Sequence, residues 1–331
     1  NDFDIICGIP YGALPIATYI STKYNKPLIY IRDKKKTYGT EMLIEGSYNK
    51  NDRCVIIDDV ITTGFSLENE INKLKNVVNI VDIAVIINRQ QNPVCSINFK
   101  SLLYKNDIIR YMLHNISQKK KSKLIFSADL SDYKQIINIL NNIGEYIVVC
   151  KIHYDIIKNV EEFIPILIDL SIKYNFLIME DRKFNDIGTT CQKQIKQFEQ
   201  TRNIISISPT SGPDILNIDT TLGMFILCEM SSNQNTYYYN TANSILSFLD
   251  NCNRNVCGII CQTNEYFDYP IPTIMPGINL TELSDNLGQQ YKNPQHMNKH
   301  PTMYVIGRGI VNCEHPLLSA IEYKKITYRN K

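Results

Sequence analysis

Apolar residues recur along the chain as short, unbroken runs separated by polar stretches. In the first hundred residues DIICGI (4–9), PLIYI (27–31), CVIIDDV (54–60) and IVDIAVII (80–87) read as strands, with helices near 12–24 and 65–76. Runs of Val and Ile without alternation predict strands covered on both faces, hence a parallel α/β sheet. Residues 106–116 put Ile108, Ile109, Met112, Leu113 and Ile116 on one face, which predicts an amphipathic helix. QKKKSK (118–123) then reads as a polar turn or linker. Eight more apolar runs follow: LIFSA (124–128), YIVVC (146–150), FLIME (176–180), NIISI (203–207), MFILCE (224–229), CGIICQ (257–262), PTIM (272–275) and MYVIG (303–307). Helical stretches such as 133–143 lie between most of them. Eight βα units predict a closed (β/α)8 barrel, so the chain divides into residues 1–105 and 106–331.

Such barrels place their chemistry at the C-terminal ends of the strands. Those ends carry Asp129, Lys151, Asp181 with Lys183, Ser208, Ser231, Gln262, Gly277 and Gly307-Arg308. A charge run after a strand is ordinarily a solvated loop. Polar and glycine residues at so many strand ends favour a site instead. The run MEDRKFNDIG (179–188) is the densest of them, with Glu180, Asp181, Arg182, Lys183 and Asp186 read as one turn.

Composition narrows the partners. A net charge of +2 with only short Lys runs gives no footprint for nucleic acid. No apolar stretch approaches the roughly 20 residues of a membrane span, and no secretory leader is expected. Ten Cys without a CxxC pair read as small core hydrophobes in a reducing, cytoplasmic setting, and the five His show no metal-ligand spacing.

Six stretches from residue 124 onward, SAD (127–129), CKIHYDI (150–156), EDRKFNDIGTT (180–190), EMSS (229–232), DNLGQQY (285–291) and IGRGI (306–310), resemble the orotidine 5′-phosphate decarboxylase family. The resemblance implies a cofactor-free Lys-Asp-Lys-Asp array at Lys151, Asp181, Lys183 and Asp186. Loss of CO2 from carbon 6 of a pyrimidine leaves a vinyl carbanion that no π-system absorbs, so fixed charges and a ready proton are required. It further implies ribose contacts at Asp129 and His153 and pyrimidine contacts at Ser127 and Ser231. Pro276, Gln289, Tyr291, Gly307 and Arg308 complete the nucleotide site, the last four as a phosphate grip. Asp186 and Thr190 would reach the ribose of a neighbouring subunit's substrate, which makes a homodimer the catalytic unit, and Ile187 is a further substrate contact.

In the first half, CVIIDDVITTGFS (54–66) is a strand ending in two acids, then a Thr/Gly turn that opens a helix, an anion site by backbone N–H groups. It resembles the phosphoribosyl-pyrophosphate motif of type I phosphoribosyltransferases. With 7–17, 32–40 and 87–91 the resemblance narrows to orotate phosphoribosyltransferase, and the fusion to bifunctional uridine monophosphate synthases. It implies binding of phosphoribosyl pyrophosphate with Mg2+, and of orotate, by Tyr11, Arg32, Lys36, Asp58, Asp59, Val60, Thr62, Thr63, Gly64, Ser66 and Arg89. Three positions depart from the family pattern: Asp33 stands for a Lys, Gly12 for a Lys beside Tyr11, and Asn88 for an acid beside Arg89. The match begins inside the transferase domain, so part of the orotate pocket is expected to lie outside this chain. Two other readings stay open: a first half that only binds ligand or dimerises, and a magnesium-dependent sugar-phosphate decarboxylase on a related barrel.

Overall fold

A computed structural model describes residues 2–32, 43–89, 99–218, 220–233 and 256–328. The chain forms two compact units, Asn1–Lys105 and Asn106–Lys331. The first is built on β1 (Ile5–Gly8), β2 (Leu28–Ile31), β3 (Ile44–Glu45), β4 (Arg53–Ile61), β5 (Asn79–Asn88) and β6 (Lys100–Tyr104). They form a six-stranded sheet in the order β3-β2-β1-β4-β5-β6. All pairs are parallel except β2–β3. Ile5, Ile6, Cys7, Ile29, Ile31, Cys54 and Ile56 are buried in its core. Helix α1 (Leu14–Tyr24) carries Pro15 in its first turn, where a missing N–H costs nothing, and ends on left-handed Asn25. Helix α2 (Phe65–Leu74) follows β4 directly and buries Leu67 and Leu74.

Neither β3 nor β6 is visible in the apolar pattern. β3 is only two residues long, and β6 is an edge strand of half-buried and exposed residues that buries neither face.

The second unit is a closed barrel of eight strands. They are β7 (Leu124–Ser127), β8 (Val149–Ile152), β9 (Leu177–Phe184), β10 (Ile204–Ile207), β11 (Gly223–Leu227), β12 (Gly258–Ile260), β13 (Thr273–Met275) and β14 (Met303–Ile306). All eight pairings are parallel, and β14 on β7 closes the ring. Helices α4 (Tyr133–Ile143), α5 (Val160–Tyr174) and α6 (Gly188–Lys196) follow the first three strands; short 3-10 turns follow β10, β12 and β13. In α4, Asp132 caps the N-terminus by accepting the Lys134 N–H at 2.9 Å, and Ile136, Ile139, Leu140 and Ile143 are buried. Each such side chain contributes roughly 1.5–3 kcal/mol.

Three of the boundaries that differ from the sequence reading bear on the site. Helix α3 runs Lys105–Lys120, so the start of the expected linker is helical. Lys120 extends it by donating to Gly144 O at 2.8 Å and Ile147 O at 2.7 Å. Upstream, Leu113 and Ile116 of α3 pack on the interior cluster that contains Val149, Ile204 and Met303, and so plug the strand-start end. β8 begins at Val149 rather than Tyr146, because Gly144–Tyr146 form a 3-10 turn. β9 does not end at Glu180 but continues to Phe184, carrying most of the charge run as strand.

Candidate active site

Alternation along β8 and β9 brings the charged residues together. Lys151, buried in β8, places its Nζ 3.1 Å from Asp181 Oδ2 and 3.0 Å from Asp129 Oδ1. Lys183 Nζ lies 2.9 Å from the same Asp181 oxygen. Both cations meet Oδ2, which leaves the buried Oδ1 of Asp181 without a hydrogen-bond partner among the described residues. Burial pushes the Asp181 carboxyl up, but Lys151 and Lys183 outweigh it and hold it far below the usual carboxylate range. Burial likewise lowers Lys151, and Asp181 and Asp129 more than restore it, so its ammonium is retained. His153 Nε2 sits 3.1 Å from Lys151 Nζ; burial and that ammonium lower the imidazole, which favours its neutral form.

These groups face a cavity of about 250 Å³ inside the strand ends. Ser127, Asp129 and His153 line one side, and the Ser127 hydroxyl donates to Asp129 at 2.7 Å. Opposite, Ser231 donates to Gln289 Oε1 at 3.0 Å, with Pro276 beside them. Arg308 closes the third side, donating to the Tyr291 hydroxyl at 2.6 Å and pairing with Asp285. Gly277 has φ +72°, and a Cβ there would meet Gln290 O at 2.6 Å, so the turn that presents Gln289 requires glycine. Gly307 lines the cavity next to Ser127.

Asp186, Ile187 and Thr190 do not line this cavity. Asp186 accepts the Ile187 N–H at 2.7 Å just past β9, Ile187 is exposed, and Thr190 lies in the first turn of α6.

Several groups at the site were not assigned from the sequence. Glu229 lines the cavity and is buried, accepting the Thr263 N–H at 2.7 Å and its hydroxyl at 3.0 Å. Glu180, expected in a charged turn, is buried within β9, where it accepts the Tyr154 N–H at 3.1 Å. Its other oxygen faces Arg202 at 3.8 Å, and neither side chain touches solvent. Ser206 of β10 accepts the Lys183 N–H at 2.9 Å. A lone Ser within an apolar run, or an Arg 22 residues from its partner, leaves no mark in a spacing pattern.

In the first unit, Asp58, Asp59 and Val60 lie in the last residues of β4, which ends at Ile61, and Thr62, Thr63 and Gly64 make the turn into α2. Gly64 has φ +86°, and Ser66 lies in the first turn of α2. Burial pushes the Asp58 carboxyl up to about 6. Tyr11 is exposed beyond β1. A Cβ on Gly12 would lie 1.8 Å from Asp59 Oδ2, so any side chain at this position excludes the observed Asp59 rotamer. Arg32 is engaged by Glu45 at 2.6 Å, a partner the sequence did not suggest. Arg89, past β5, donates its N–H to Ile61 O at 2.9 Å. Lys36 and Asp33 lie outside the described residues.

Two family models match the chain, one within each unit. Residues 122–323 match the family model described as orotidine 5′-phosphate decarboxylase / HUMPS family, and residues 1–102 match the phosphoribosyl transferase domain. The chain is 25% identical to the uridine 5′-monophosphate synthase of Bos taurus over 99% of its own length and 84% of that protein. It is 32% identical to the orotidine 5′-phosphate decarboxylase of Pachysolen tannophilus, over 64% of this chain and 87% of that one. A crystal structure of orotidine 5′-monophosphate decarboxylase from Methanocaldococcus jannaschii superimposes with a TM-score of 0.51 at 17% identity, covering 63% of this chain and 99% of that chain. This last likeness concerns the fold.

Proposed function

Because the chain belongs to the orotidine 5′-phosphate decarboxylase / HUMPS family, we propose that its barrel converts orotidine 5′-phosphate to UMP and CO2 in pyrimidine biosynthesis. The observation that carries this reading is the Asp181 carboxylate held between two ammonium groups at 3.1 and 2.9 Å on a cavity wall.

The chemistry follows from the charges. The 5′-phosphate docks on Gln289, Tyr291, Arg308 and the Gly307 main chain; the ribose meets Asp129 and His153, and the pyrimidine meets Ser127, Ser231 and Pro276. Binding of the non-reacting phosphate supplies energy to hold the substrate carboxylate beside Asp181. Two like charges then face each other until the C6–carboxylate bond breaks. CO2 leaves, and the electron pair stays on carbon 6. Lys183, already ion-paired in the free site, stabilises that pair and delivers its proton to it, and water restores the ammonium. Lys151 keeps Asp181 in place and ionised throughout. This step draws on side chains alone, with no cofactor. Asp186, Ile187 and Thr190 complete the ribose site of a second copy, so the active unit is a homodimer. The described cysteines are all free. Among the described residues no helix is long and apolar enough to cross a membrane.

For the first unit we propose the preceding reaction, in which orotate displaces pyrophosphate from phosphoribosyl pyrophosphate. The Thr62–Gly64 turn and Ser66 would hold the 5-phosphate, and Asp58 and Asp59 the ribose hydroxyls. Tyr11, Arg32 and Arg89 flank the site. A Mg2+ ion carried by the pyrophosphate would face the Asp58 and Asp59 end of β4 and would neutralise charge on the leaving group. The engagement of Arg32 by Glu45 and the Gly at position 12 favour a second reading for this unit, ligand binding without turnover.

Purified chain given orotidine 5′-phosphate in excess chelator should release UMP and CO2 at the rate seen without chelator. A rate that collapses in chelator would point to metal-dependent sugar-phosphate chemistry and overturn the assignment. Orotate, phosphoribosyl pyrophosphate and Mg2+ should yield UMP through both units; bound phosphoribosyl pyrophosphate with no product would leave the first unit as a binding module.

A further inference from the structure

Lys183 has φ +54°, a left-handed backbone that costs a long side chain free energy and persists only where the surroundings impose it. The register between β9 and β10 shows what imposes it. Ile205 pairs with Glu180 and Ile207 with Phe184, so three residues of β9, Asp181–Lys183, stand opposite the single residue Ser206. The excess makes a bulge, which re-aims side chains and leaves main-chain groups without their ladder partners. Ser206 is fully buried, and its Oγ accepts the Lys183 N–H at 2.9 Å. The hydroxyl thus replaces the lost ladder bond at the residue that carries the proton.

We propose that Ser206 is a positioning residue for decarboxylation: its hydroxyl fixes the left-handed main chain of Lys183 and thereby aims the ammonium at carbon 6. The proposal rests on the reading of the barrel cavity given above. Without that bond the Lys183 amide is buried and unpaired, and the bulge can regain an ordinary backbone only by turning the side chain. The 2.9 Å contact between Lys183 Nζ and Asp181 Oδ2 is then no longer set by the main chain. Displacement of a reacting group by about 1 Å costs on the order of 10²-fold in rate.

By microscopic reversibility, the group that protonates carbon 6 also removes the C6 proton of UMP, so exchange of that proton in D2O reports on Lys183 without the carboxylate. Ser206→Ala should lower kcat roughly 10–100-fold and slow the exchange in parallel, with KM changed by less than about threefold. Ser206→Thr, which keeps the acceptor, should hold both rates within about threefold of the parent. Should the Ala protein not fold, Ser206→Cys replaces it, with similar size and a much weaker acceptor. Folded Ser206→Ala protein with parental kcat and exchange sinks the proposal, as does a loss confined to KM or a Thr variant as slow as Ala. Parent protein inactive in both assays would instead sink the assignment of the cavity.

Discussion

Asp181 is a carboxylate that burial alone would neutralise. Removing an ion from water costs several kcal/mol. At an effective dielectric of about 20, each cation near 3 Å returns roughly 5 kcal/mol, so two cations prevail and one would be marginal. The charge is therefore a property of the cluster, not of the residue. Stability supplied by the depressed Asp181 carboxyl is fully present above its ordinary titration range, and is lost as pH falls from there down through its depressed value in the fold. Lys183 differs from Lys151 in being partly open to the cavity, with 27% of its side chain exposed against 6%. The enclosed cation anchors and the accessible one delivers the proton. Lys183→Ala should leave the fold intact while decarboxylation falls at least about 10²-fold, the contribution of a positioned proton donor. Circular dichroism with steady-state assay checks this, and a variant keeping more than about a hundredth of parental kcat would assign the proton elsewhere.

The ends of the elements were less legible than the elements. All eight barrel strands stand out as unbroken apolar runs, because a strand covered by barrel and helices has no wet face to break the pattern. The same logic concealed where β9 stops. Apolar content ends at Met179, yet pairing runs on to Phe184, because Asp181 and Lys183 satisfy one another inward while Glu180 is buried outward against Arg202. Polar residues paired across the fold look like a loop until the partners are seen. The nucleotide-facing residues were legible only through whole stretches such as DNLGQQY, and their props, Ser206, Glu229 and Arg202, were not, since a support is defined by contact and not by spacing. Glu180 also makes the joint between β8 and β9 sensitive to pH. Burial raises its carboxyl from 4.5 to about 7, only partly offset by the Tyr154 N–H and Arg202. Between those values the folded chain keeps a proton that the unfolded chain has released, so stability falls as pH rises through the window, by at most roughly 3 kcal/mol. Glu180→Gln should flatten that decline. Urea unfolding of the barrel at pH 5 and pH 7.5 measures it, and equal slopes for parent and variant would mean that Glu180 is ionised at both.

At the scale of the whole molecule, three residues beside the array do not line the cavity of their own chain. Asp186, Ile187 and Thr190 belong to the turn after β9 and to the start of α6, and Ile187 is 63% exposed. A single chain thus holds three members of the Lys-Asp-Lys-Asp set on its cavity wall, and the fourth, half-buried Asp186, lies outside that wall. A two-fold pairing of identical chains gives every cavity the turn of the other chain, since an isologous interface repeats each contact twice. The proposed homodimer makes a countable prediction. A Lys183→Ala chain paired with an Asp186→Ala chain produces one cavity with both lesions and one with neither. Random reassociation of equal amounts makes about half the dimers mixed, each with one intact site of two, so activity should recover to about one quarter of the parent per subunit. Each variant alone should be nearly inactive. The recovery should depend on exchange of subunits, appearing after dilution and reconcentration and not on simple mixing of tight dimers. If no ratio restores turnover once exchange is shown by mass-tagged subunits, Asp186 does not act across an interface, and the cavity of one chain must be sufficient for the reaction.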